Sequence, residues 1–255
     1  MKISIKVGSS SLHDGEKPRL EVFDHIASQI IGLRQDGHDV VLTTSGAIAF
    51  GAANLPGYVR PKNETVPMKQ ALAALGQPLL QATWGNAFAE YCIQTGQVLV
   101  TNQEIFGIAG SKSHLIDTFG QMLGLGILPI VNENDSVAVK EIVQGDNDKL
   151  SAYIANLVGA EMLFILGTAD ALYRDYPTNK DRISVVDRLY LPQIAQYCVD
   201  TADLQGTGGM LTKKDAVHIV FDEGNTVNRT FVASAFNPDA INLSMLGQIG
   251  TMFTR

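Results

Sequence analysis

The sequence predicts an α/β fold, a largely parallel sheet with helices on both faces. Three observations predict it. Short apolar runs of strand length alternate with longer segments whose apolar residues recur at helical spacing, the order produced when parallel strands are joined by crossover helices. One run, Ile127-Leu128-Pro129-Ile130-Val131, is apolar throughout and reads as a buried strand. The chain of 255 residues is 45% hydrophobic and 18% charged, enough to build one sizeable core. Two small domains would also fit that length, but no Pro/Ser-rich linker, low-complexity tract or long charge run marks a boundary. Residues 1–255 are therefore expected to form a single domain.

The elements follow in order. Ile3–Val7 reads as a strand, and Glu21–Gln35 as a helix with apolar residues at 22, 23, 26, 30 and 33. Gly37 ends that helix, and Asp39–Thr43 is a second strand. Met68–Cys92 has helical spacing over most of its length, although Gly76-Gln77-Pro78 should interrupt or restart it. Gln97–Val100 returns as a strand, Ser113–Leu125 as a helix and Leu128–Val131 as a strand. Ser136–Val143 alternates enough to predict a β-hairpin. Lys149–Leu157 is a helix, Met162–Leu166 a strand, Thr212–Glu223 a helix, Thr230–Ala233 a strand and Asp239–Leu246 a short helix. Thr251–Phe253 closes the chain.

Composition excludes several classes. A formal net charge of -7, with no Lys/Arg cluster interleaved with aromatics, argues against nucleic-acid binding. Cys92 and Cys198 are too few and too far apart for a disulfide framework or a zinc site. The five histidines show no metal spacing, so no protein metal site is expected. A strand begins at Lys2 with no signal-peptide pattern, and no apolar run approaches the ~20 residues of a membrane span. A cytoplasmic protein with no membrane partner is the expectation. No GxSxG elbow supports a hydrolase.

The chemistry concentrates after the buried strand. Asn132-Glu133-Asn134-Asp135 and Asp146-Asn147-Asp148 place carboxylates and amides close together in sequence. Polar groups at the exit of a buried strand are costly unless they hold something, and ligands bind at the carboxyl ends of strands in open α/β sheets. Amides beside carboxylates suit a ligand with both ammonium and carboxylate groups. Three loops add phosphate-ready backbone. Lys6-Val7-Gly8-Ser9-Ser10-Ser11 puts a lysine at a strand end, and Thr44-Ser45-Gly46 precedes a helix, with Ser45 a good N-cap. Gly206-Thr207-Gly208-Gly209-Met210-Leu211-Thr212-Lys213 leads into a helix whose first turn carries a lysine. That placement is unfavourable unless an anion is bound. The loop matches neither GxxxxGK[ST] nor GxGxxG. Two lysines on such loops beside an amino-acid-like pocket describe a phosphoryl transferase.

These motifs resemble the glutamate 5-kinases of the amino acid kinase superfamily. The likeness runs from Lys6 to Phe253 through KxGSS, TSGAIAxG, the run Gln70–Gln77, an INENDxV-like Val131–Val137, GDNDxLSA at Gly145–Ala152, and GTGGMxTK at Gly206–Lys213. The resemblance implies a three-layer αβα sandwich around a mainly parallel, roughly eight-stranded sheet, with the glutamate site in the N-terminal half and the ATP site in the C-terminal half. It also implies a short form without the PUA domain that many members carry.

The implied reaction is ATP-dependent phosphorylation of the side-chain carboxylate of L-glutamate to L-glutamyl 5-phosphate, the first step of proline biosynthesis. A carboxylate is ionised at pH 7 and needs no general base. By the same resemblance, Lys6 and Lys213 flank the transferring phosphoryl and Asp148 holds both. Ser9, Ser45, Gly46, Asn132, Asp135, Asp146 and Asn147 line the glutamate site. The nucleotide is held by Lys6, Gly8, Gly167, Thr168, Asp170, Tyr173, Gly206, Thr207, Gly208, Gly209, Met210 and Lys213. Mg2+ accompanies ATP, on phosphate oxygens and water rather than in a protein cage. Feedback inhibition by proline, a homo-oligomer (dimer or tetramer), and a functional partnership with glutamyl phosphate reductase are further implications. Two other readings are a sister kinase acting on acetylglutamate or aspartate, and a silent sensor of glutamate or proline. One departure stands out: after Met162–Leu166 the resembled family has Ser/Thr-Asp, where this chain has Gly167-Thr168-Ala169-Asp170.

Overall fold

The computed structural model describes residues 1–61, 63–107, 110–138, 147–198 and 209–255. The first half contains β1 (Lys2–Val7), the one-turn α1 (Ser9–Leu12), α2 (Leu20–Gln35), β2 (Asp39–Thr43), α3 (Ala47–Asn54), α4 (Val66–Ala89), β3 (Thr95–Val100), α5 (Asn102–Phe106), α6 (Ser111–Gly124) and β4 (Leu128–Glu133). The second half contains α7 (Asn147–Val158), β5 (Met162–Gly167), β6 (Leu172–Tyr173), β7 (Arg182–Ile183), β8 (Val185–Asp187), α8 (Met210–His218), β9 (Arg229–Ser234), α9 (Ala240–Met245) and β10 (Thr251–Thr254).

Among the described residues, eight strands form one sheet in the order β3-β4-β2-β1-β5-β9-β10-β8. Neighbours are parallel throughout except β9 and β10. The expected three-layer α/β class therefore holds. The β5 strand is buried along its whole length, and its successive side chains enter opposite layers. Phe164 and Leu166 join a core with Phe23, Trp84 and Phe88, whereas Leu163 and Ile165 join a second core with Ala155, Val217 and Phe221. Helices α2, α3 and α4 cover the first face; α6, α7 and α8 cover the second.

The chain leaves β1 toward β2 on one side, while β5, hydrogen-bonded to β1 on the other side, leads on to β9. Crossovers that leave in opposite directions open a crevice at the carboxyl ends of β1 and β5. Gly8 N–H donates to Leu166 O at 3.0 Å across that point.

Two expectations need correction. Pro78 does not interrupt α4, which is continuous from Val66 to Ala89. The cost of a proline in a helix interior, ~3 kcal/mol, is met by burial of Leu80, Trp84 and Phe88, each worth roughly 1.5–3 kcal/mol. The backbone contact with α3 also holds the segment: a Cβ on Gly76 would lie 1.9 Å from Ala47 O, and one on Gly51 would lie 1.9 Å from Leu72 O. The hairpin expected at 136–143 begins instead as a turn, with Val137 and Ala138 N–H donating to Asn134 O at 3.0 and 2.9 Å. Its remainder, 139–143, lies outside the described residues. Among the described residues, no helix is long and apolar enough to cross a membrane.

Candidate active site

Among the described residues, three charged side chains meet at the β1–β5 crevice. Lys6 comes from β1, Asp148 from the first turn of α7 and Lys213 from α8. Asp148 Oδ1 is ion-paired with Lys6 Nζ, and its Oδ2 lies 3.1 Å from Lys213 Nζ. Thr212 Oγ1 donates to the same Oδ2 at 2.9 Å. Exposure is 6% for Lys6, 0% for Asp148 and 4% for Lys213. Burial alone would push the Asp148 carboxyl up, but the two ammonium groups and their hydrogen bonds outweigh it and hold the group well below the usual carboxylate range. Two lysines against one carboxylate give the triad itself a net positive charge in a nearly dry place.

The surrounding backbone stays open. A Cβ at Gly8 would lie 3.4 Å from Lys6 Nζ, and one at Gly167 would lie 3.5 Å from Lys213 Cε. Gly209 caps α8; its carbonyl accepts from Lys213 Nζ at 3.5 Å and lies 2.9 Å from Thr212 Oγ1, whose single proton it shares with Asp148. The cation near the start of α8 is offset by the protein's own anion, Asp148.

Beside the triad lies a run of amides. Asn147 Nδ2 donates to Thr44 O at 2.6 Å, Ser45 Oγ at 2.7 Å and Asn132 Oδ1 at 2.8 Å. Asn132 Nδ2 donates to Gln77 Oε1 at 2.7 Å, and Gln77 Nε2 to Gln97 Oε1 at 3.0 Å. Trp84 Nε1 donates to Thr44 Oγ1 at 2.8 Å, tying the strand end to α4. Glu133 and Asp135 follow Asn132. Burial, with the Asp135 charge nearby, pushes the Glu133 carboxyl up to about 7, and burial pushes Asp135 up to about 6. Both are carboxylates that a cation would help to ionise.

The family model for the amino acid kinase family matches residues 1–234. The chain belongs to the amino acid kinase family. Within it, the chain is similar to curated glutamate 5-kinases. It is 39% identical over 221 residues to that of Thermus thermophilus, covering 86% of this chain and 58% of the relative. It is 37% identical over 259 residues to that of Clostridium acetobutylicum, covering 99% of this chain and 94% of the relative. The chain thus spans little more than half the length of the Thermus relative. Among solved structures, Giardia carbamate kinase superposes with a TM-score of 0.66 at 16% identity, covering 100% of this chain and 98% of that one, which establishes the fold alone.

The amino acid kinase fold gathers some of the sequence-predicted residues and separates others. Lys6, Gly8, Asp148, Gly167, Gly209 and Lys213 converge on the triad. Ser45, Asn132 and Asn147 converge on the amide run. Ser45 does not cap α3, however. The cap position is Gly46, in the left-handed region at φ 117°, with no side-chain cap bond. The Ser45 hydroxyl is instead turned to Asn147. Ser9 opens α1, and Met210 is the first residue of α8. Asp170 and Tyr173 bond each other, Tyr173 OH donating to Asp170 Oδ2 at 2.8 Å. Desolvation and that bond push the Tyr173 phenol up to about 12. Asp146, Gly206, Thr207 and Gly208 lie outside the described residues.

Sequence reasoning assigned no role to Thr44, Gln77, Trp84, Gln97 or Thr212. Thr212 sits inside GTGGMxTK and could have been read from that motif. Gln77 likewise closes the run Gln70–Gln77 and could have been read from it, whereas Gln97 carries no local signal, because its partner comes from another element.

Proposed function

We propose that the protein transfers the γ-phosphoryl group of ATP to the side-chain carboxylate of L-glutamate, giving ADP and L-glutamyl 5-phosphate. The observation that carries this reading is the buried Lys6–Asp148–Lys213 triad with its net positive charge. A carboxylate oxygen of glutamate attacks the γ-phosphorus, the bond from that phosphorus to the bridging oxygen breaks, and ADP leaves with the electron pair. No proton moves. The difficulty is electrostatic, since two anions must meet and charge spreads over the phosphoryl oxygens. Lys6 and Lys213 meet that charge from opposite sides, and Asp148 holds them apart and in place.

Mg2+ arriving on ATP would neutralise further phosphate charge. With Asp148 already bonded to both lysines, phosphate oxygens and water are its natural ligands. The amide run and Asp135 suit the amino-acid end of the substrate, Ser45 and Asn147 its polar atoms. The kinship with glutamate 5-kinases extends the reading to proline as feedback inhibitor, to a homo-oligomer, and to a reductase that consumes the labile product.

The test is formation of hydroxamate from hydroxylamine, dependent on both ATP and glutamate. Activity with acetylglutamate or aspartate instead would move the protein to a sister kinase. No turnover with any of them would favour a sensor.

Asp135 supports a sharper expectation. If its carboxylate pairs with the substrate ammonium, the KM for glutamate should fall as pH rises through about 6, where the free carboxyl ionises, while the KM for ATP moves little. Asp135→Ala should raise the glutamate KM by the equivalent of ~2–5 kcal/mol, the loss of one partner of a buried charge pair, and flatten that pH dependence. The sign for stability is opposite. A carboxyl whose folded pKa is raised stabilises the fold below its unfolded value, near 4, and loses that contribution as pH rises through about 6. Asp135→Asn should therefore gain melting temperature relative to the parent between pH 5 and 8. Equal effects on both substrates would make Asp135 a turn residue only.

The departure at Gly167-Thr168 gives another. Restoring a hydroxyl-carboxylate pair as Gly167→Thr with Thr168→Asp should lower the KM for ATP severalfold, one added hydrogen bond being worth ~0.5–1.5 kcal/mol, with the glutamate KM unchanged. A Cβ at Gly167 meets only ordinary contacts, the nearest at 3.5 Å. An unchanged ATP KM in the folded double variant would mean that the nucleotide is held there through backbone alone.

A further inference from the structure

The amide run has a direction. A carboxamide has nearly the same shape when turned over, so only its partners decide which end is oxygen. Thr44 O is an acceptor and nothing else, so Asn147 must face it with Nδ2. Asn132 must then offer Oδ1 to Asn147, its own Nδ2 must face Gln77, and Gln77 must answer with Oε1. Gln97 receives the last N–H. Every bond runs in the same sense, from α7 through β4 and α4 to the exposed end of the run on β3.

That direction decides what a ligand meets. Asn147 Nδ2 has two hydrogens and three acceptors around it, so among the described residues its Oδ1 is the end left to face a ligand. The Ser45 hydroxyl accepts from Asn147, so its own O–H is left to donate. An acceptor beside a donor matches an ammonium beside a carboxylate. If Asn132 turned over, two NH2 groups would face each other in a buried place, and Asn147 would have to give up either that contact or its bond to Thr44 O, so its place in the site would no longer be fixed.

We infer that Gln77 is a positioning residue for the amino-acid site: its Oε1 locks Asn132, and through it Asn147, in the orientation that presents an acceptor to the substrate's ammonium. Gln77 reaches this place because Gly76, its neighbour in α4, lets the helix press on the backbone of α3, and it is only 7% exposed. The inference rests on the proposed reading in one respect, that the ligand is an amino acid.

The experiment compares the parent with Gln77→Met, which keeps the bulk and removes the acceptor, and Gln77→Glu, which keeps an acceptor for Asn132. Gln97 is exposed and can turn its amide over to suit the carboxylate. Gln77→Met should raise the glutamate KM about tenfold, the scale of one buried polar group left unsatisfied, with the ATP KM within twofold. The inhibition constant of glutarate, which lacks the ammonium, should also stay within twofold. Gln77→Glu should recover most of the loss. In parallel, the side-chain NH2 resonances of Asn132 and Asn147, read by 15N NMR without substrate, should shift and exchange faster in Gln77→Met but not in Gln77→Glu.

Parallel rises for glutamate and glutarate, or a Gln77→Met variant that loses only melting temperature, would overturn the assignment. So would unchanged NH2 signals. A parent that makes no hydroxamate would sink the glutamate reading, and the NMR comparison would then decide the positioning role by itself.

Discussion

Lys213→Ala is expected to lower kcat by about 10²–10³-fold, the scale of losing one charge partner in a transition state, with the KM for glutamate little changed. The fold should survive. Removing Lys213 leaves Asp148 paired with Lys6 and bonded to Thr212, so no buried charge is stranded, and the net positive charge of the triad falls to zero. Stopped-flow or steady-state kinetics with a parallel thermal melt make the check. A loss below about fivefold with the melt unchanged would remove Lys213 from the transfer step.

Asp148→Asn should have the largest effect on stability. Lys6 and Lys213 are both nearly enclosed, and without the carboxylate two ammonium groups would face one amide. Breaking a buried ionic arrangement by removing one partner costs ~3–5 kcal/mol. Denaturant unfolding near pH 7 measures it, and turnover should be lost as well. Because the Asp148 carboxyl is held below its usual range by both lysines against its burial, its contribution is present above the unfolded value near 4. It is lost only as pH falls through the depressed folded value, so parent and variant should differ steadily from pH 8 to pH 5. Replacing all three residues by Met, Asn and Met should recover stability but not activity, since an apolar substitute needs no partner. A single variant as stable as the parent would mean that water or another group already satisfies the lysines.

The order of strands and helices was legible in the sequence because burial leaves a local record. Met162–Leu166 is apolar because both faces of β5 are covered, and Glu21–Gln35 shows its helical stripe because one side of α2 meets the core. The residues of the triad were legible for a similar reason. Lys6, Asp148 and Lys213 each stand beside glycines or small polar residues at a strand end or helix start, where backbone chemistry is written into neighbouring positions.

What the sequence could not show depended on contacts between distant elements. Pro78 reads locally as a helix break, yet Gly51 and Gly76, separated in the chain, let α3 and α4 meet backbone to backbone and carry the helix through it. Ser45 reads as a cap, yet Asn147, from the other side of the sheet, claims its hydroxyl. Gln97 looks like an ordinary polar residue, and Gln77 only like the end of a motif, until α4 and β3 place them in line with Asn132. Sequence by itself determined which segments are buried and where charge gathers, because those follow from each residue's own transfer free energy and its near neighbours. Only the tertiary structure decided which polar atom faces which, because a hydrogen bond is directional and its partner here lies on another element.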